Sequence, residues 1–184
     1  MAALRQDDCP ATRALEFLIL TATRTGDVRF LRWCEINLTK RPWTIPKERL
    51  ETGHHDDRED HDVPLSAPAM AMLLATKGDR TPDPDAYVFL GGHGRLLHER
   101  AMIARTHYIN PMIADHGFRL TFRDCCGDET KHERETAELA LSHKIGDVEG
   151  SYRRKTALAK RRAPMDEWAT YCESGKVISI NTAA

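Results

Sequence analysis

A mainly α chain with one small antiparallel β-sheet (an α+β fold) is predicted by two observations. Most apolar residues recur at the three-to-four spacing of helices, while only Trp43-Thr44-Ile45 and Val63-Pro64-Leu65 read as strands. No internal repeat or low-complexity linker interrupts the 184 residues, a length that suits one domain with a proper core.

The elements follow in order. From Ala11 to Thr23, Leu15, Leu18, Ile19 and Ala22 fall at helical spacing with Phe17 beside them, and Gly26 begins a second helical segment bearing Val28, Leu31 and Arg32. The two strands flank a long, acidic, His-rich connection. Ser66 is an N-cap candidate for a helix through Met70, Leu73 and Leu74. KGDRTPDPDA is rich in turn residues, and Tyr87 to Leu90 is a short apolar run that stops at Gly91-Gly92. Further helices are expected over Leu97 to Tyr108, Phe118 to Cys126, Glu133 to Ser142, Tyr152 to Arg161 and Met165 to Cys172. The tail GKVISINTAA reads as a loose end or a small edge strand.

Composition narrows the class. An apolar fraction of 41% with 30% charged residues is that of a soluble globular protein. No apolar run approaches the ~20 residues that span a bilayer, and MAALRQDDCP lacks a signal peptide's apolar segment, so the cytoplasm is expected. Cys9, Cys34, Cys125, Cys126 and Cys172 form no CxxC pair and read as reduced thiols. Trp33, Trp43 and Trp168 read as packing residues. The formal charge is only −1, but it is partitioned. Residues 153 to 162 (RRKTALAKRR) carry six positive charges and no acid, whereas residues 51 to 62 (ETGHHDDREDHD) carry six acids against one Arg.

Chemistry concentrates between His116 and Tyr152. His116 and Arg119, at i and i+3, can face a common point from one helical turn. His143 ends an apolar-periodic run, and Tyr152 comes nine residues later. An Arg and two His around a phenol suit phosphodiester chemistry. The guanidinium grips nonbridging oxygens with two parallel hydrogen bonds, the imidazoles move protons, and the phenol attacks phosphorus. A second anion clamp stands upstream in TATRTGDVRFLRW, where Arg24 lies between two helical segments.

These blocks, with WTIPKERL, VPLS, YVFLGG, HGFRLTFRD, ELALSHKIGDVEGSYRR and MDEWATYC, make the chain resemble the catalytic domain of the tyrosine recombinases, or phage-type integrases. The likeness is to prophage integrases and runs over residues 11 to 173, leaving 1–10 as a linker remnant and 174–184 as a tail. It implies the fold of the DNA breaking-rejoining enzymes, with a three-stranded sheet at the edge. It further implies that the N-terminal core-binding and arm-binding domains are missing, so that the chain is an isolated domain or a truncated product. Arg24 and Arg119 match the two catalytic arginines, His116 and His143 the supporting histidines, and Tyr152 the nucleophile of a 3′-phosphotyrosyl intermediate. Arg153 and Arg154 open the basic run as DNA contacts. Double-stranded DNA is the implied partner and a homotetramer on DNA the implied assembly, with no cofactor and no membrane.

One departure stands out. Family members place a Lys on the β-hairpin to protonate the leaving 5′-oxygen, and here that slot holds Glu51, with Lys47 as the one nearby substitute. A catalytically impaired DNA-binding remnant or regulator is therefore a second reading. A third is a metal-dependent phosphoesterase built on His54, His55, Asp56, Asp57, Asp60 and His61, although their spacing matches no tight-binding pattern, and a solvated hairpin tip is the simpler account.

Overall fold

The helix Pro10–Thr21 (α1) is buried along most of its length, and much of the chain packs around it. The computed structural model describes residues 1–50, 59–113, 117–128, 130–143 and 150–175, with backbone alone for 150–157. Pro10 opens α1 where a missing N–H costs nothing. The helix stops at Ala22, whose left-handed φ of 50° ends the repeat. Phe17 lies 5.5 Å from the Trp43 ring and 5.6 Å from that of Phe89, all three fully or almost fully buried. Burial of one such side chain stabilises the fold by roughly 1.5–3 kcal/mol.

Thr25–Arg29 (α2) follows α1 directly. It is shorter than expected, since Leu31 and Arg32 already lie beyond it. Strands Pro42–Ile45 (β1) and His61–Pro64 (β2) pair antiparallel, Trp43 opposite Val63 and Ile45 opposite His61. Trp43, Ile45 and Val63 face inward, so His61, two residues before Val63, shares the buried face. Thr44 and Asp62 take the other face, where the Thr44 hydroxyl donates to Asp62 Oδ1 at 2.6 Å. The expected third strand is absent among the described residues; a single antiparallel bridge, Ile36 to Trp43, stands in its place.

Ala67–Lys77 (α3) begins after Ser66, as expected, yet Ser66 makes no capping hydrogen bond and its hydroxyl is buried. Ala101–Ile109 (α4) starts four residues later than the apolar pattern implied. Gly117–Asp128 (α5) and Arg134–Ala140 (α6) pack against Gly150–Ser174 (α7). Where two helices were expected, α7 runs unbroken through Pro164. A proline removes one backbone donor, but Met165, Trp168 and Ala169 beyond it are buried, which holds the segment to the core. Trp168 donates from Nε1 to the Ile19 carbonyl at 2.7 Å and meets Phe122 edge-on at 5.6 Å, joining α7 to α1 and α5.

Trp43 and Trp168 are core residues, and Trp33 packs partly buried against the core. All five cysteines are free thiols, and burial pushes those of Cys126 and Cys172 up to about 12. Among the described residues, no helix is long and apolar enough to cross a membrane. The tail 176–184 lies outside the described residues.

Candidate active site

Two helix ends meet at Arg119. The last carbonyls of a helix have no partner within it, and α1 and α6 each direct one at the same guanidinium. Arg119 donates from Nη1 to the Ala22 carbonyl at 2.8 Å and from Nη2 to the Leu141 carbonyl at 2.7 Å. Both helices close with a left-handed residue that is not glycine, Ala22 (φ 50°) and Ser142 (φ 58°). Arg119 is thus fixed from two sides, which orients its planar fork before any ligand arrives.

His143 completes this corner. Its Nε2 lies 3.2 Å from Arg119 Nη2, and its Nδ1 lies 2.5 Å from Glu138 Oε2. Because a guanidinium only donates, Nε2 accepts and Nδ1 carries the proton given to Glu138. The backbone is set by the same turn: the His143 N–H donates to the Glu138 carbonyl at 2.9 Å. The chain Arg119–His143–Glu138 aims one ring nitrogen at the arginine and fixes the other with a carboxylate, as suits a proton-handling imidazole.

Arg24 stands at the N-cap of α2, at the junction expected for it. Its backbone N–H donates to Asp27 Oδ2 at 3.3 Å. Burial pushes the Asp27 carboxyl above its usual range, against the pull of that N–H and of the Arg24, Arg49 and Arg119 charges. The charges of Arg24 and Arg119 both bear on Asp27 and on His61. Such a pair suits a phosphodiester or another oxyanion.

The remaining expected residues fall differently. Tyr152 lies in the first turn of α7, with Arg153 and Arg154 after it, but their side chains lie outside the described residues, as do His116 and Glu51. Lys47 is exposed in a 3-10 turn, Lys47–Arg49, where its backbone N–H donates to Asp60 Oδ1 at 3.0 Å. Of the proposed metal ligands, His54, His55, Asp56 and Asp57 lie outside the described residues. Among the described residues, no three His, Cys, Asp or Glu gather to hold a metal ion.

Two participants escape a reading by periodicity. Glu138 is five residues before His143, a spacing that faces nothing on a continuous helix and works only because α6 ends between them. His61, grouped by sequence with the acidic loop, turns inward instead, and its Nε2 lies 3.3 Å from the Ala140 carbonyl. The alternation His61, Asp62, Val63 was the available signal.

Fold and geometry together give an α+β domain in which Arg119 is held by two helix-end carbonyls beside a carboxylate-bound histidine. The prophage integrase IntZ of Escherichia coli K12 is 31% identical to the chain over 164 residues, 88% of this chain and 39% of that protein. The integrase of Enterobacteria phage P4 is 29% identical over 181 residues, covering 89% of this chain and 40% of its own length. That of Shigella phage Sf6 is 28% identical over 168 residues, with 89% and 41% covered. Over nearly nine tenths of its length the chain is similar to phage and prophage integrases. It spans less than half the length of these curated relatives. No family model matches the chain, and no solved structure matches it.

Proposed function

We propose that residues 11–173 are the catalytic domain of a tyrosine-type site-specific recombinase that breaks and rejoins double-stranded DNA. The observation that carries this reading is the Arg119 guanidinium, held by the Ala22 and Leu141 carbonyls beside the His143–Glu138 pair. Arg24 and Arg119 would bind the nonbridging oxygens of the scissile phosphate and offset the charge of its pentacoordinate transition state. Tyr152 would attack phosphorus through its phenol oxygen, forming the P–O bond of a 3′-phosphotyrosyl link as the bond to the 5′-oxygen breaks. A phenol's ordinary pKa is about 10, so the arginines favour the phenolate. His143 would handle the proton through Nε2. Reversal by a 5′-hydroxyl rejoins the strand, since the phosphodiester energy is kept in the covalent link. Assembly as a homotetramer on an attachment-type site belongs to the same reading.

The test is a nicked duplex that traps the covalent adduct once the cleaved end diffuses away. An adduct that disappears in Tyr152→Phe supports the proposal. No adduct, even with a core-binding domain supplied, overturns it.

A second reading, a DNA-binding remnant or regulator, is favoured by Glu51 in the lysine slot amid the acidic run 51–62. A carboxylate there repels the phosphate and supplies no ammonium for the leaving oxygen. Glu51→Lys decides: a large gain in cleavage means that only the acid was lost, whereas binding that persists without cleavage favours the regulator.

A further inference from the structure

The C-terminal turn of α6 collects more than the arginine clamp. Its three final carbonyls, Leu139, Ala140 and Leu141, are met by side chains from three different elements. Arg161 of α7 donates to Leu139 at 3.4 Å, His61 of β2 approaches Ala140 at 3.3 Å, and Arg119 of α5 donates to Leu141 at 2.7 Å. His143, the next residue but one, hangs from the same turn.

We propose that His61 is a positioning residue for the arginine clamp: by donating its Nε2–H to the Ala140 carbonyl, it fixes the turn that orients Arg119 and His143 and ties that turn to the β-hairpin. The inference rests on the recombinase reading for its consequence in catalysis, and on the geometry alone for the contact.

The residue type fits the place. A carbonyl only accepts, so the contact requires the Nε2–H tautomer. His61 sits on the inward face of β2, opposite Ile45 and two residues from Val63, where a solvated side chain would not be held. Burial, with the charges of Arg161, Arg24 and Arg119, holds the imidazole down at about 3, against the opposing pull of the Ala140 carbonyl. It is therefore neutral at ordinary pH. A neutral donor secures the carbonyl without adding a further cation to the cluster, which a lysine or arginine would do. An aliphatic side chain would leave the Ala140 carbonyl without this donor. The hairpin and the clamp thereby move as one piece.

Two amides of equal polarity and different reach test this. Gln at position 61 can place its amide nitrogen where Nε2 lies, and Asn cannot. In the full chain, the Arg119 Nε–H resonance, assigned through Arg119→Lys, is expected to keep its shift in His61→Gln and to move or broaden in His61→Asn. In single-turnover adduct formation, His61→Asn should slow the rate about tenfold or more, as displacement of a catalytic group does. DNA affinity should stay within roughly twofold, because the phosphate contacts that set it are retained. His61→Gln should restore most of the rate.

An Arg119 signal unchanged in His61→Asn overturns the proposal. So does an imidazole ¹⁵N spectrum of the unmodified chain showing His61 charged or protonated on Nδ1 at pH 7, a measurement that needs no variant to fold. The two readings separate cleanly. An Arg119 signal that responds while no variant forms an adduct keeps the positioning role and rejects the recombinase. Adducts formed equally by all three chains, with a silent Arg119 signal, do the reverse.

Discussion

The α6 C-terminal turn has an imidazole on each side, and the two are handled oppositely. His143 is on the open side, its side chain 42% exposed, and is held by a carboxylate and an arginine. His61 is on the hairpin side, largely enclosed, with cations around it and a neutral carbonyl as its partner. The first environment leaves a ring nitrogen toward the clamp and a counter-charge behind it, which suits proton transfer. The second suppresses the charged form and leaves a fixed donor. On the proposed reading, environment rather than residue type separates a chemical role from a positional one.

The largest effect expected from this contrast is on stability against pH. His61 is at about 3 in the folded chain, against an ordinary value of 6.5. The unfolded chain therefore takes up the proton first as pH falls. The His61 contribution is fully present above 6.5 and is lost progressively toward 3, by at most about 1.4 kcal/mol per pH unit. Denaturant unfolding between pH 7 and 4.5 should show the unmodified chain losing stability on acidification more steeply than His61→Gln. Parallel curves would mean that the cations around His61 do not suppress its charge.

On the other side of the turn, Glu138→Gln should act on chemistry more than on stability. The amide oxygen can still accept from His143 Nδ1, so the ring stays oriented, but the counter-charge for an imidazolium is gone. The rate of adduct formation should fall roughly tenfold, the low end of what a positioned proton-transfer group contributes. The melting temperature should change little, because Glu138 and His143 form a partly exposed pair. A rate equal to that of the unmodified chain would remove His143 from proton transfer.

How much of this was legible in the sequence depends on whether a local pattern or a helix end carries the information. Helix α1, the two strands and the Arg24 junction follow from apolar spacing and could be read directly. The unbroken α7 could not, because Pro164 is a local stop that packing of Met165 and Trp168 overrides. The third strand implied by family likeness reduces to the Ile36–Trp43 bridge. Arg119 and His143 stand out by motif as candidates, but what holds them does not. The Ala22 and Leu141 carbonyls are main-chain atoms, and Glu138 reaches His143 only across a left-handed Ser142 that no propensity announces.

The smallest expected effect also separates His61 from the hairpin that carries it. Thr44 and Asp62 pair across the outer face of the sheet, one residue along each strand from the Ile45–His61 pair. Thr44→Val removes their 2.6 Å hydrogen bond and substitutes an isosteric side chain with good strand propensity. A cross-strand pair of this kind contributes on the order of 0.2–1 kcal/mol, so unfolding should register a loss no larger than that. If clamp geometry depends on His61 in particular, adduct formation and the Arg119 resonance should not change in Thr44→Val, since the Ala140 contact lies on the opposite face. If they change as far as in His61→Asn, general stiffness of the hairpin governs the clamp, and the histidine has no special part in it. The outer face of the sheet is thus the control for the inner one, because the two differ in what they touch while sharing one backbone.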